Sequence, residues 1–537
     1  MSPRKVLSIL ILSLLAVPAG AADLCSGLVQ GDKAPHPMTP LAKPAWKESF
    51  VDPQFGTTIR RITNAPASAG ANATIIPLYA TMQAWNADET YLILYDRTSG
   101  AGVHKLYDGK SYQFLMTLPI AATDFEHVLW DPNDPDLLYY PSNYNAIPNF
   151  MSFRVSTGET SVVRNFQGAP TNCPAGNWGV LLSLGSDPQY MSFGPDKIVG
   201  LKCGNVKFTY SIARNAVIGV NPNFNSPNAP SVAPSGAVAL LADSIFDTAL
   251  RFLYQLPLVD PYNHANLGAS ASGHDTFNTV AFDGAANEIG TLVTIDLWTG
   301  AKRVIVGPAT GYPYPPSSTH ISSISKNNPG WAAVSVVGNP DGQGLLDNEL
   351  LLANTDTGAV CRIGHNRTFA GVVEGAKWGY WSEPHNVISP LGTRVLFGSD
   401  WSNGDSVDTY VVELPGYVNT RVAPKVTGFF LIDKNTGETL REIKNGDTVN
   451  LSPYAGRTLD IQSRVTPGLV TLMYFQVNGK PYAVDAARPY TSEGAGNYAF
   501  PERAPFVLGS NTLAAVALDD EFTADGDYLA VTFALAM

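Results

Sequence analysis

The stretch Gln83-Ala-Trp-Asn-Ala-Asp88, with the apolar run Tyr91-Leu-Ile-Leu-Tyr95 and the turn Tyr107-Asp-Gly-Lys110 behind it, decides the fold, because its order of parts returns along the chain. His127-Val-Leu-Trp-Asp-Pro132 leads to Leu137-Leu-Tyr-Tyr140 and Ser156-Thr-Gly158. His274 leads to Leu292-Val-Thr-Ile-Asp-Leu-Trp-Thr-Gly300, and His320 to Trp331-Ala-Ala-Val-Ser335 and Asp356-Thr-Gly358. His385 leads to Arg394-Val-Leu-Phe397 and Pro415-Gly416. Similar units fit Ser183 to Asn215 and, more loosely, Ser231 to Asp260, so seven units recur at roughly 50-residue spacing. Short strands and turns without long apolar stripes of helical period fit the four-stranded blades of a β-propeller. Such a blade has two apolar faces, and only packing around an axis buries both.

Working outward, the composition agrees. Of 537 residues only 15% are charged, while 48 are Gly, 40 are Pro and 10% are aromatic, which excludes a disordered chain, a coiled coil and a collagen and points to an all-β protein. After Pro415-Gly416 a new series of strands begins at Val426-Thr-Gly-Phe-Phe-Leu-Ile-Asp433. It runs through Thr458-Leu-Asp-Ile-Gln462 and Val470-Thr-Leu-Met-Tyr-Phe-Gln-Val477, with the hairpin signal Asn478-Gly479, to Tyr528-Leu-Ala-Val-Thr-Phe533. The expected organisation is a seven-bladed β-propeller over 50–420, after a lead-in over 22–49, and an immunoglobulin-like β-sandwich over 424–537. That last part resembles accessory modules of extracellular bacterial proteins, where structural spacing and ligand binding are both open roles.

Arg4 and Lys5 ahead of the apolar run Val6 to Val17, closed by Pro18-Ala-Gly-Ala21, read as a signal peptide over 1–21. No other run has the length of a membrane span, so a secreted or periplasmic, non-inserted monomer is expected. Four cysteines suit two disulfides in an oxidising compartment, with Cys173 and Cys203 the more local pair. The formal charge of −12 argues against nucleic acid as a partner.

Chemistry is expected from histidines at unit starts. Of eight histidines, His127, His274, His320 and His385 hold the anchor position of their units. Innermost propeller strands line the channel, so equivalent strand starts project toward one mouth. Glu383 in Trp378-Gly-Tyr-Trp-Ser-Glu383-Pro-His385 would share a strand face with His385 if the segment is extended. His274, His320, His385 and Glu383 together form a nitrogen-rich set suited to a divalent metal such as Mn or Zn rather than Ca. The plainer readings are histidines bracing loops and Glu383 pairing an arginine of a neighbouring blade. His104 and His365 look like outer-strand or loop residues.

Pro384-His-Asn-Val-Ile-Ser-Pro-Leu-Gly-Thr-Arg-Val-Leu-Phe397, with histidines at successive blade starts, resembles the oligogalacturonide lyases and related propeller polysaccharide lyases. The resemblance implies a divalent metal held by histidines at the channel mouth and β-elimination of uronic-acid polymers, with Glu383 in place of the family's metal-binding Gln. β-Elimination needs a cation to stabilise the enolate, a base for the C5 proton and an acid for the leaving oxygen. His127 is the expected base and Tyr380 the acid, with Tyr312 a second choice for the acid; Trp378, Trp381 and Tyr312 are the expected sugar platforms. The reading is therefore a secreted metal-dependent lyase acting on an acidic polysaccharide or oligosaccharide. A non-catalytic glycan- or protein-binding propeller is the alternative; a hydrolase lacks support because no Gly-x-Ser-x-Gly elbow is present.

Overall fold

The computed structural model describes residues 22–537 except 123, 143–146, 174–190, 223, 225–227, 258–263, 282–290, 313–318, 371–373, 419–423, 467–469, 471, 487–489, 494–497, 501–505 and 519–527. The expected signal peptide lies outside the described residues, as does the opening segment 183–190 of the unit expected from Ser183. The chain is nearly all β, and its larger part is a propeller.

Seven small antiparallel sheets lie between Val29 and Glu413 among the described residues. The first pairs Ile75–Pro77, Tyr91–Asp96, Val103–Asp108 and Phe114–Thr117 in chain order. The fifth pairs His264–Ala269, Asp275–Ala281, Thr291–Asp296 and Lys302–Val306; the sixth pairs His320–Ser322, Trp331–Ser335, Glu349–Asn354 and Val360–His365. Strands inside a sheet are buried on both faces, as in Tyr91–Asp96, because the neighbouring sheets cover them. The approach is close at Gly200, where an added Cβ would stand 1.6 Å from the carbonyl oxygen of Pro230 on the next sheet.

Two N-terminal pieces close the ring. Thr58–Arg61 and Ser49–Val51 add to the sheet of Val387–Ile388, Arg394–Ser399 and Asp408–Glu413, so the first and last parts of the propeller share one blade. Val29–Gln30, within the expected lead-in, pairs with Val360–His365 and covers an otherwise open edge. The same contact is tied by a disulfide from Cys25 to Cys361, and a second joins Cys173 to Cys203. The first closes a separation of 336 residues and the second only 30. Loop-closure entropy then makes the first bond worth about 2 kcal/mol more than the second. Unfolding midpoints of Cys25→Ser/Cys361→Ser and Cys173→Ser/Cys203→Ser should show that order, and the reverse order would remove the closure argument.

From Lys425 the strands form two further sheets. Lys425–Asp433 is flanked by Thr439–Ile443 and Leu459–Thr466, facing a six-stranded sheet that contains Leu472–Val477, Gly509–Leu518 and Leu529–Ala536. Phe429, Leu431 and Ile461 of one meet Met473, Phe475, Leu513 and Phe533 of the other in a shared core, the arrangement of a β-sandwich.

One expected unit is anchored differently. His264 opens the innermost strand of the fifth sheet, whereas His274 sits in the turn after that strand, with Ser270 N donating to the His274 carbonyl. A strand of six residues spans about 20 Å, so these two histidines belong to opposite ends of the propeller.

Candidate metal centre

Three side chains at or before innermost strands meet at one mouth. His320 opens His320–Ser322, His385 lies ahead of Val387–Ile388, and Glu383 caps the short 3-10 turn Gly379–Ser382. One ligand atom from each lies within 4.8 Å of the other two. Glu383 Oε2 is 3.6 Å from His320 Nε2 and 3.8 Å from His385 Nε2, too far for hydrogen bonds. The two imidazole centroids are 4.5 Å apart, edge to face. A cation bonded to N and O donors at about 2.0–2.2 Å sits among atoms separated by roughly this much.

The convergence of Glu383 and His385 does not come from an extended strand. Glu383 is extended at φ −61° and ψ 141°, as a residue before proline should be, but His385 has φ 41°, in the left-handed region. A side-chain-bearing residue held there costs about 1–2 kcal/mol. Gly398 N donates to the Pro384 carbonyl at 2.7 Å and fixes the kink from the neighbouring strand.

His385 and His320 are 0% and 1% exposed and Glu383 8%, and no ring nitrogen of either histidine has a hydrogen-bond partner. Buried polar atoms are rarely left so, and each such group costs about 1–3 kcal/mol. Burial first, and the neighbouring imidazoles second, hold His320 well below the usual histidine range and pull His385 down to about 3. Both rings are therefore neutral at physiological pH, the state in which imidazole ligates a metal. Two nitrogens and one carboxylate oxygen fit a transition-type divalent ion better than calcium.

A third imidazole adjoins them. His264 stacks on His320 at 4.5 Å between centroids, and its Nδ1–H donates to the Thr319 carbonyl, which leaves the lone pair on Nε2. The Tyr79 ring lies 5.3 Å from His320 and 5.4 Å from His385. Tyr380, 37% exposed, covers His385 at 4.6 Å, and its hydroxyl donates to Glu126 Oε1 at 3.1 Å. Burial and then the Glu126 charge raise its proton affinity far above the ordinary phenol range, so this hydroxyl keeps its proton. Beside it Arg97 lies over the Trp381 ring at 3.7 Å with Nη1 buried and unpartnered.

His274 is not in this group; its Nδ1 is 2.7 Å from Asp296 Oδ2 at the far end of the fifth sheet, and that distance removes it as a ligand here. His127 is 0% exposed and close enough to His104 to lower its proton affinity; a base must meet its substrate, so the base role does not follow for His127. Tyr312 is 4% exposed inside an apolar cluster, a packing residue and neither acid nor sugar platform. Trp378 is half-buried, its indole N–H donating to Gly404 O at 3.0 Å, while Trp381 stacks on Tyr95 near the mouth. His264, Arg97, Tyr79 and Glu126 were not expected. His264 carried a signal, since it starts the alternating run His264-Ala-Asn-Leu267 as His320 starts its own strand.

No protein-family model matches this chain, and no curated protein matches it in sequence. Among solved structures it is similar to an oligogalacturonate lyase in complex with manganese, at 14% identity over 69% of this chain and 96% of that one, TM-score 0.48. It is also similar to an oligogalacturonate lyase from Vibrio parahaemolyticus, at 14% identity over 69% and 97%, TM-score 0.45. TolB from Acinetobacter baumannii follows at 13% identity over 64% and 65%, TM-score 0.29.

Proposed function

We propose that this protein is an exported, metal-dependent polysaccharide lyase that acts as a monomer on uronic-acid-containing glycans, with residues 50–420 carrying the site and 424–537 an immunoglobulin-like accessory module. The observation that carries the reading is the pair of buried, unpartnered, neutral imidazoles facing Glu383 at a channel mouth. His320, His385 and Glu383 would hold the ion, Mn or Zn, which supplies positive charge near a uronate carboxyl as its C5 proton leaves.

The remaining work falls to the chain. Arg97, half-buried and laid over the Trp381 ring, is suited to turn its guanidinium to the carboxylate. His264 replaces His127 as the base: its Nε2 carries the lone pair and takes the C5 proton. The C5 electron pair forms the C4=C5 double bond as the C4–O bond breaks, and the departing oxygen gains a proton from Tyr380, whose hydroxyl is held protonated. Glu126 orients that hydroxyl.

Acidic glycans incubated with the metal-loaded protein should then develop the ultraviolet absorbance of an unsaturated uronate. His264→Ala should lower kcat about 100-fold with metal content unchanged, the scale of a lost general base. A second reading, a non-catalytic glycan- or protein-binding propeller, is favoured by the near-complete burial of His320 and His385, since closed metal sites are structural ones. Full metal content with no absorbance change on any acidic glycan would select it.

A further inference from the structure

The face opposite the metal centre holds a second constellation. Trp298 is 61% exposed, yet it is held from two sides. Its ring stacks on His274 at 5.1 Å between centroids and 4° between planes, and its backbone N donates to Asp296 Oδ1 at 2.8 Å. Asp296 uses its other oxygen to hold His274 Nδ1 at 2.7 Å, so the imidazole backing the indole is itself fixed. An exposed large aromatic normally gains nothing from such restraint. A rigid indole with one face backed by imidazole and the rest open to solvent is a preformed stacking platform, bound by a ligand at little entropic cost.

Asp296 also lines a groove of about 460 Å³ between the fifth and sixth sheets, within the size range of small-molecule sites. Its wall mixes apolar and polar groups, with Ser272, Thr294, Lys302, Arg303 and Asp356 supplying hydroxyls and both charges. Asp356 spans the two sheets by accepting from Ala271 N at 2.8 Å, and Arg303 Nη1 donates to Thr357 O at 3.1 Å, so the walls are fixed relative to each other.

We propose that Trp298 and this groove form a second saccharide-binding site, about 20 Å along the propeller from the metal centre. The C–H face of a pyranose ring stacks on the indole, whose negative π face attracts it. Hydroxyls along the chain meet Ser272, Thr294 and Asp356, and a uronate carboxylate, where present, meets Lys302 and Arg303. The site does not depend on the metal centre being catalytic.

Affinity electrophoresis of the full chain through gels containing polygalacturonate, and separately hydroxyethylcellulose, tests this. At least one polymer should retard the wild type. Trp298→Ala should weaken that retardation about tenfold, in the wild-type and in the His320→Ala background alike, and Trp298→Phe, which keeps a ring face, by less than about threefold. Retardation by polygalacturonate alone assigns the groove to acidic chains, and retardation by both assigns it to the pyranose ring itself. Should Trp298→Ala fail to fold, the exposed Arg303→Ala decides, with weaker retardation by polygalacturonate expected. No retardation of wild type by either polymer, equal retardation of a folded Trp298→Ala, or complete loss in His320→Ala overturns the proposal.

Discussion

Wild-type protein loaded with Mn or Zn and freed of excess by dialysis should retain about one equivalent, and His320→Ala should lose most of it, with affinity lowered on the order of 1,000-fold. Even partners outside the coordination sphere are worth about 10–100-fold, and His320 is one of the three side chains that would hold the ion among the described residues. The pH dependence separates this site from an adventitious surface one. A surface histidine must shed a proton near pH 6.5 before it binds metal, so affinity at an exposed site falls steeply below that value. Here His385 loses its proton at about 3 and His320 well below the ordinary range, so neither ring competes with metal between pH 5 and 8. Metal affinity should accordingly be nearly flat across that window, measured by competition with a chelator of known pH dependence. Elemental analysis showing equal, near-zero metal in wild type and His320→Ala would sink the site, and the unpartnered imidazoles would then need another explanation.

The propeller could be read from the sequence because turn residues recur in a fixed order, and a blade needs those turns whatever its core contains. His274, expected at the anchor of the fifth unit, lies in a turn that follows the innermost strand instead of opening it. The true anchor, His264, lies behind Asp260-Pro-Tyr-Asn263, a break that the unit spacing absorbed. Glu383 and His385 were paired by strand alternation, whereas a left-handed residue after proline brings them together, which no pattern of period two can reveal. Arg97, Glu126 and Tyr79 come from the first two sheets and meet the others only when the ring closes, so their joint position has no local signal.

That closure can be tested through one buried pair, and here a loss of about 3–5 kcal/mol is expected from Arg394→Met. Arg394 and Glu89 are 0% and 1% exposed, and they join the last sheet to the first with Nη2 at 2.7 Å from Oε2. Arg394 Nη1 also donates to the Tyr112 hydroxyl at 3.0 Å, its plane lies over Trp85 and Tyr417, and Glu89 Oε1 accepts from Leu391 N at 2.8 Å. Burial alone would lower the arginine's proton affinity, but Tyr112 and Glu89 more than offset it, so the guanidinium stays charged. Removing it leaves the buried Glu89 carboxylate with only the Lys110 ammonium, 3.9 Å from Oε2, and that poorly compensated charge sets the size of the loss more than the pair's own attraction does. Arg394→Met combined with Glu89→Leu removes both charges together, so the double variant should be more stable than Arg394→Met alone, by denaturant midpoint at constant slope. If the double variant instead loses the sum of the two single losses, the pair is not acting as a unit. Closure of the propeller would then rest on the shared blade formed by Thr58–Arg61 and Asp408–Glu413, whose strand pairing neither substitution touches.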